Sequence, residues 1–381
     1  MKLKRLMMAT LIPLLLSVFT SDSLANTKHS VINQLGEYLY LITYQDYDYD
    51  DYLSVRNENK QLVDFGCSAV HNGQFFGRNF DAKFDEVPQY IIYVPSTQDR
   101  YASIGMAYSF SKKTFAEMDE NAYTSLPWSM VDGVNEKGVA VCVSTCPTKD
   151  LEFYIAKLGT AFGKPELDLS TVTRFLLDNA QSAKHAVELL QGRNILDNIE
   201  KPKSSKVLPS GFHFMIADEK EQYIVEFISN QMCITKDDPV MTNFFNTLLP
   251  QYTAHSKGIE RYNVMKEHYK WGAKGLDGMS RLMKAVMFTR AYDVSNYPVR
   301  YTDVGLGYDK DLDVDVTNGI INNDFKMKNH IMDRIATTRV RRNEPGVWQT
   351  ASTSVYDLKN LIFRLYSQED YSRCFEFALK E

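Results

Sequence analysis

Asn72-Gly73 lies between two short β-prone runs, Cys67-Ser-Ala-Val-His71 and Gln74-Phe-Phe-Gly-Arg-Asn-Phe80. Asn-Gly in this setting is the strongest short-range hairpin signal, because a type I′ turn needs positive φ at both central residues. It constrains the chain more than any other feature, since a two-residue turn also sets strand register. Counted outward from that turn, Arg78 falls directly across from Cys67. Asp81, further along the same strand, points to the other face unless a bulge or the strand end turns it inward. An antiparallel sheet is therefore expected to start at Cys67.

More strands are expected over Gln89–Val94, Val139–Ser144, Phe212–Ala217 and Gln222–Phe227, the last two joined by a polar turn at Glu219–Glu221. Helical spacing runs through Ser170–Leu190, where Val172, Phe175, Leu176, Ala180, Ala183, Val187 and Leu190 recur at three- and four-residue steps. Ser170 is the expected N-cap. Two more helices are expected over residues 260–268 and 278–288, and a β-like tail over 352–366 turns at Lys359-Asn360. A length of 381 residues alone suggests two or three domains. However, no Gly/Ser/Pro-rich linker divides the chain after Cys67, so residues 67–381 read as one α+β domain with helices inserted between strand pairs.

The first residues have the three-part layout of a secretory signal peptide: Lys2, Lys4 and Arg5, then an apolar run from Leu6 to Phe19, then Ser23-Leu24-Ala25. The alternative, an uncleaved anchor, is disfavoured by an apolar run shorter than the roughly 18 residues of a membrane span. With residues 1–25 removed as a signal, the protein is expected to be exported, periplasmic or secreted, and to keep no membrane span. Residues 26–66 include Tyr44-Gln-Asp-Tyr-Asp-Tyr-Asp-Asp-Tyr52. That stretch reads either as a solvated acidic surface segment or as part of a propeptide.

A 44% hydrophobic composition with 23 Tyr and 21 Phe supplies a large core. The formal net charge of −5 offers no basic footprint for a phosphate backbone, so nucleic acid is not an expected partner. Five cysteines at uneven spacings exclude a small disulfide scaffold and leave at least one thiol unpaired. Cys142 and Cys146 fall on one face of a strand, ~13 Å apart at ~3.3 Å per residue. That is too far to bridge, and both read as core thiols.

Cys67 is the candidate nucleophile. A free thiol, with a pKa near ~8.5, needs a base or a cation to react. His71 and His213 carry no local catalytic signature and read as structural. No Gly-x-Ser-x-Gly, His-Glu-x-x-His or Cys-x-x-Cys pattern occurs, and acyl transfer at Cys67 would need no metal or organic cofactor. Cleavage after Gly66 would instead free an α-amine of pKa about 7.7–8, a general base already attached to the nucleophile. Arg78 would favour thiolate, and Asp81 could orient the amine.

Cys67-Ser-Ala-Val followed by Phe76-Gly-Arg-Asn-Phe-Asp81 resembles the opening of the choloylglycine hydrolase family, which includes conjugated bile acid hydrolases and penicillin V acylases. Further blocks match in order: Asp132-Gly-Val-Asn-Glu-Lys-Gly-Val139, Phe214-Met-Ile-Ala-Asp218 with Val225-Glu-Phe227, Thr242-Asn243, Glu260-Arg-Tyr262 and Ser354-Val-Tyr-Asp357. The resemblance implies an N-terminal-nucleophile hydrolase with a four-layer αββα sandwich. It also implies an autoprocessed enzyme acting on a small-molecule linear amide with a hydrophobic acyl part, and a homo-oligomer.

By residue, the resemblance implies Cys67 as nucleophile and base, with Arg78 and Asp81 tuning it. Asn243 would be the oxyanion donor, and Arg261 would support the charge network. The second oxyanion position, usually Asn or Tyr, falls on Thr145, where a backbone N–H would serve. Ala82 stands where many relatives carry Trp. Tyr90, Tyr93, Phe110 and Trp128 suit an apolar acyl pocket and equally a core. Two rival readings are a serine-type penicillin-recognising enzyme built on Ser109-Phe-Ser-Lys112, which lacks a Lys-Thr-Gly partner, and a non-catalytic exported binding protein.

Overall fold

The computed structural model describes residues 25–26, 30–36, 38–47, 66–83, 88–108, 120–147, 164–196, 210–228, 231–247, 258–287, 308–309, 314–315 and 348–379. The first described elements are strands β1 (Ala25–Asn26), β2 (Ser30–Gly36) and β3 (Leu39–Tyr44). The hairpin β4 (Gly66–Asn72) and β5 (Phe75–Lys83) comes next, then β6 (Gln89–Val94) and β7 (Ser103–Tyr108). A short helix α1 (Glu120–Ser125) leads into β8 (Met130–Asn135) and β9 (Ala140–Pro147).

Beyond these lie β10 (Glu166–Asp168), α2 (Val172–Asn179), α3 (Ala183–Gln191) and β11 (Asn194–Leu196). They are followed by β12 (Ser210–Ala217), β13 (Gln222–Ile228), β14 (Gln231–Lys236) and β15 (Val240–Met241). Helices α4 (Gly258–Gly272) and α5 (Gly275–Ala285) precede the short pair β16 (Tyr308–Asp309) and β17 (Val314–Asp315). The chain closes with β18 (Trp348–Asp357), β19 (Ile362–Ser367) and β20 (Phe375–Ala378).

Ten strands form one sheet in the order β1-β2-β3-β6-β7-β8-β9-β12-β13-β14, and six form a second, β15-β4-β5-β18-β19-β20. Strands such as β13, with every residue buried, need cover on both faces. Helices α2 and α3 pack on β8, β9, β12 and β13 of the larger sheet, while α4 and α5 pack on β4, β5 and β18 of the smaller. The sheets face each other, with β4 against β9. The architecture is thus α+β, a four-layer αββα sandwich, as expected. Among the described residues no helix is long and apolar enough to cross a membrane.

The β4–β5 register differs from the sequence expectation by two residues: Cys67 pairs with Phe80, and Ala69 with Arg78. The turn sits on Gly73-Gln74, and only Gly73 has positive φ (58°), which fits a turn with Gly at its first central position. Asn72 remains in the strand, where its side chain donates to the Ala273 carbonyl at 3.1 Å. Because side chains alternate with period two, a two-residue shift leaves Arg78 on the same face as Cys67.

The expected single helix over Ser170–Leu190 is two helices. Asp168, not Ser170, caps the first turn by accepting from the Ser170 N–H at 3.0 Å. Ser182 caps α3 by accepting from the His185 N–H at 3.1 Å, and Asp218 accepts from the Ala183 N–H at 2.8 Å. These acceptors satisfy the orphan donors that a break in the helix creates.

Candidate active site

Cys67 is the second residue of β4 and is fully buried between the sheets. Arg78, diagonal to it on β5, donates from Nη2 to the Cys67 Sγ at 3.1 Å and to the Val143 carbonyl of β9 at 3.0 Å. Its Nη1 donates to Asp132 Oδ2 at 2.7 Å. Its guanidinium also lies over the Phe80 ring, 4.8 Å from the centroid. Tyr356 of β18 donates its hydroxyl to the other oxygen of Asp132. The cation beside the sulfur is therefore held from both sheets.

The helix-facing side of the hairpin carries a second charged pair. Asp81 lies across from Gly66 and, as the alternation predicts, turns away from the face of Cys67. It accepts from Arg261 Nη1 of α4 and from Thr350 Oγ1, the latter at 2.7 Å. Arg261 Nη2 also donates to Asn243 Oδ1, and the same oxygen accepts from the Cys67 backbone N–H at 2.9 Å. Two donors on that oxygen fix the amide orientation of Asn243. Its Nδ2 consequently faces Ser144 Oγ at 3.2 Å and the Thr145 carbonyl at 2.8 Å.

Cys67, Arg78, Asp81, Thr145, Asn243 and Arg261 thus belong to one buried network that meets at the start of β4. Sequence reasoning missed Ser144, Thr350, Tyr356 and the role of Asp132. Asp132 and Tyr356 lie inside matched sequence blocks, and Ser144 immediately precedes Thr145. The signal that singles out these four is their contact with Arg78, Asp132, Asn243 or Asp81, which only the fold creates.

Burial pushes the Cys67 thiol up to about 11, outweighing the pull of Arg78. Asp81 adds to the rise, while Arg261 and a hydrogen bond with Ser144 oppose it. Burial works against the charge of Arg78, and the Asp132 carboxylate beside it offsets that cost. In the unbroken chain the sulfur is therefore a protonated thiol, and the attached nitrogen is an amide with no basicity.

The histidines take structural roles. His71 bonds to Gln222 Oε1 at 3.0 Å and to the Asp218 carbonyl at 2.9 Å, and His213 lies 3.2 Å from Glu226. Cys142 and Cys146 are buried free thiols. Tyr90 and Trp128 are buried in the core. Ser109, Phe110 and Lys112 lie outside the described residues, as do residues 1–24 of the expected signal segment 1–25. Among the described residues no cluster of three or more His, Cys, Asp or Glu could hold a metal ion.

Among solved structures, similarity is found to a mutant of conjugated bile acid hydrolase from Clostridium perfringens, at 17% identity and a TM-score of 0.46, covering 82% of this chain and 92% of that one. Penicillin V acylase from Agrobacterium tumefaciens is similar at 14% identity and a TM-score of 0.35, covering 80% of this chain and 75% of that one. No curated protein matches the sequence. A family model, linear amide C-N hydrolases of the choloylglycine hydrolase family, matches residues 68–288. With more than half of the chain matched, the protein belongs to that family and is a hydrolase of linear amide C–N bonds.

Proposed function

We propose that the protein is an exported amidase that cleaves a small-molecule linear amide with a hydrophobic acyl part, using Cys67 as an N-terminal nucleophile. The observation that carries this reading is the double grip on Cys67: Arg78 on its sulfur at 3.1 Å and Asn243 Oδ1 on its nitrogen at 2.9 Å. A buried structural thiol needs no guanidinium at its sulfur, and a side-chain amide that also faces the neighbouring sheet is an unusual acceptor for a strand N–H. Activation begins when the Cys67 sulfur adds to the Gly66 carbonyl carbon and the C–N bond between them breaks. Water then hydrolyses the thioester, leaving Gly66 with a carboxylate and Cys67 with a free α-amine.

In turnover, that amine takes the thiol proton and the sulfur attacks the substrate carbonyl. Asn243 Nδ2 and a backbone N–H at Thr145 hold the oxyanion; loss of one such donor typically costs ~100–1000-fold in turnover. The ammonium then protonates the departing nitrogen, and water releases the acyl group as acid. Asp81 and Arg261 keep Asn243 in place and balance charge at the new terminus. The Lys2–Ala25 layout supports export, and a chain recovered with residues 1–25 intact in the cytoplasm would contradict it.

The test is the N-terminal sequence and intact mass of active protein under denaturing conditions. A catalytic chain that starts at Cys67 is expected. An active chain that starts near residue 26 and continues unbroken through Cys67 overturns the mechanism. Conjugated bile salts, penicillin V and N-acyl homoserine lactones form the substrate panel, each assayed for release of its amine.

A further inference from the structure

We infer that residues 26–66, once cut from Cys67, are not shed but stay bound as a second, light chain of the mature enzyme; this rests on the proposed cleavage. Strands β2 and β3 are not an outer wrapping. They lie in the larger sheet, with β3 paired in parallel to β6 over Leu39–Thr43 and Gln89–Tyr93. Ile32 and Ile42 are fully buried in the main core, and Tyr44 is 1% exposed. One face of β3 is fully covered, with Tyr40, Ile42 and Tyr44 buried, and Leu41 on the other face is packed against the same core. Release of the segment would leave β6, itself almost wholly buried, as an open edge of unpaired backbone groups.

Polar contacts pin the segment down as well. Tyr47 donates its hydroxyl to the carboxylate of Asp178 at 2.6–2.7 Å. The Arg100 guanidinium lies over the Tyr47 ring, 4.2 Å from its centroid, and donates to the Tyr47 carbonyl at 3.2 Å. The Tyr44 hydroxyl donates to the Tyr123 carbonyl. All of these bonds join the segment to the chain beyond Cys67 and none involves the Gly66–Cys67 peptide, so its hydrolysis breaks none of them. Cleavage therefore changes the number of chains without changing the sheet.

The test is gel filtration of the active protein under native conditions, followed by mass determination of the peak after denaturation. The expected result is two polypeptides in equal amounts, one ending at Gly66 and one starting at Cys67. An active peak that holds only the chain from Cys67 overturns the inference and leaves the cleavage standing. A single unbroken active chain overturns both. Tyr47→Ala, which does not touch the nucleophile, is expected to release the light chain at a lower urea concentration than wild type. Release at the same urea concentration from both proteins would overturn the claim that these contacts hold it.

Discussion

Arg78 and Asp132 are opposite charges, fully buried and 2.7 Å apart, and neither side chain could sit there without the other. Removing one partner of such a pair typically costs about 3–5 kcal/mol, because the remaining charge is left uncompensated. Asp132→Ala should therefore lower the unfolding midpoint strongly. The double variant Arg78→Met with Asp132→Leu should recover much of that stability and none of the activity, since the sulfur still lacks its cation. A double variant as unstable as the single one, or one that turns over substrate, would refute this account. At this scale the sequence was informative in a particular way. It singled out Cys67, Arg78, Asp81, Asn243 and Arg261 because they lie in recognisable blocks. Ser144 and Thr350 carry no pattern of their own and became visible only as hydrogen-bond partners.

Strand β7 approaches β8 so closely at Gly105 that an added Cβ would lie 2.1 Å from the Asp132 carbonyl oxygen. That contact is with backbone, which cannot step aside as a flexible side chain can, and overpacking of this kind costs about 1–3 kcal/mol or more. Gly105→Ala is expected to lower the unfolding midpoint and to reduce turnover, because Asp132 shifts under Arg78. An unchanged midpoint in a thermal melt would count against this. The hairpin β4–β5 teaches a related lesson. Its existence and its facing pattern could be read from alternating residues around Gly73, but its register could not. One glycine with positive φ satisfies two different two-residue turns, and the choice fell to contacts such as Asn72 with Ala273. Likewise, one continuous run of helical spacing hid the break at Ala180–Ser182, which depends on acceptors from Ser182 and from Asp218, remote in sequence.

Across the whole molecule, His71 clamps the two sheets together: it sits on β4 and reaches Gln222 and Asp218 at the β12–β13 turn. Burial lowers its pKa despite those acceptors. The unfolded chain, near the ordinary value of about 6.5, thus takes up a proton more readily than the folded one, and folding stability is lost as pH falls below that value. Between about pH 7 and about pH 5, the midpoint of wild type should fall further than that of His71→Gln; equal losses would sink the idea. By itself the sequence determined the α+β class, because residue types and periodicity are local properties. Only the tertiary structure decided that Ser30–Gly36 and Leu39–Tyr44 belong to the larger sheet and that Asp132 and Tyr356 brace Arg78. Both depend on pairing between segments far apart in the chain, and the free energy of that pairing comes from surfaces that exist only once the layers close.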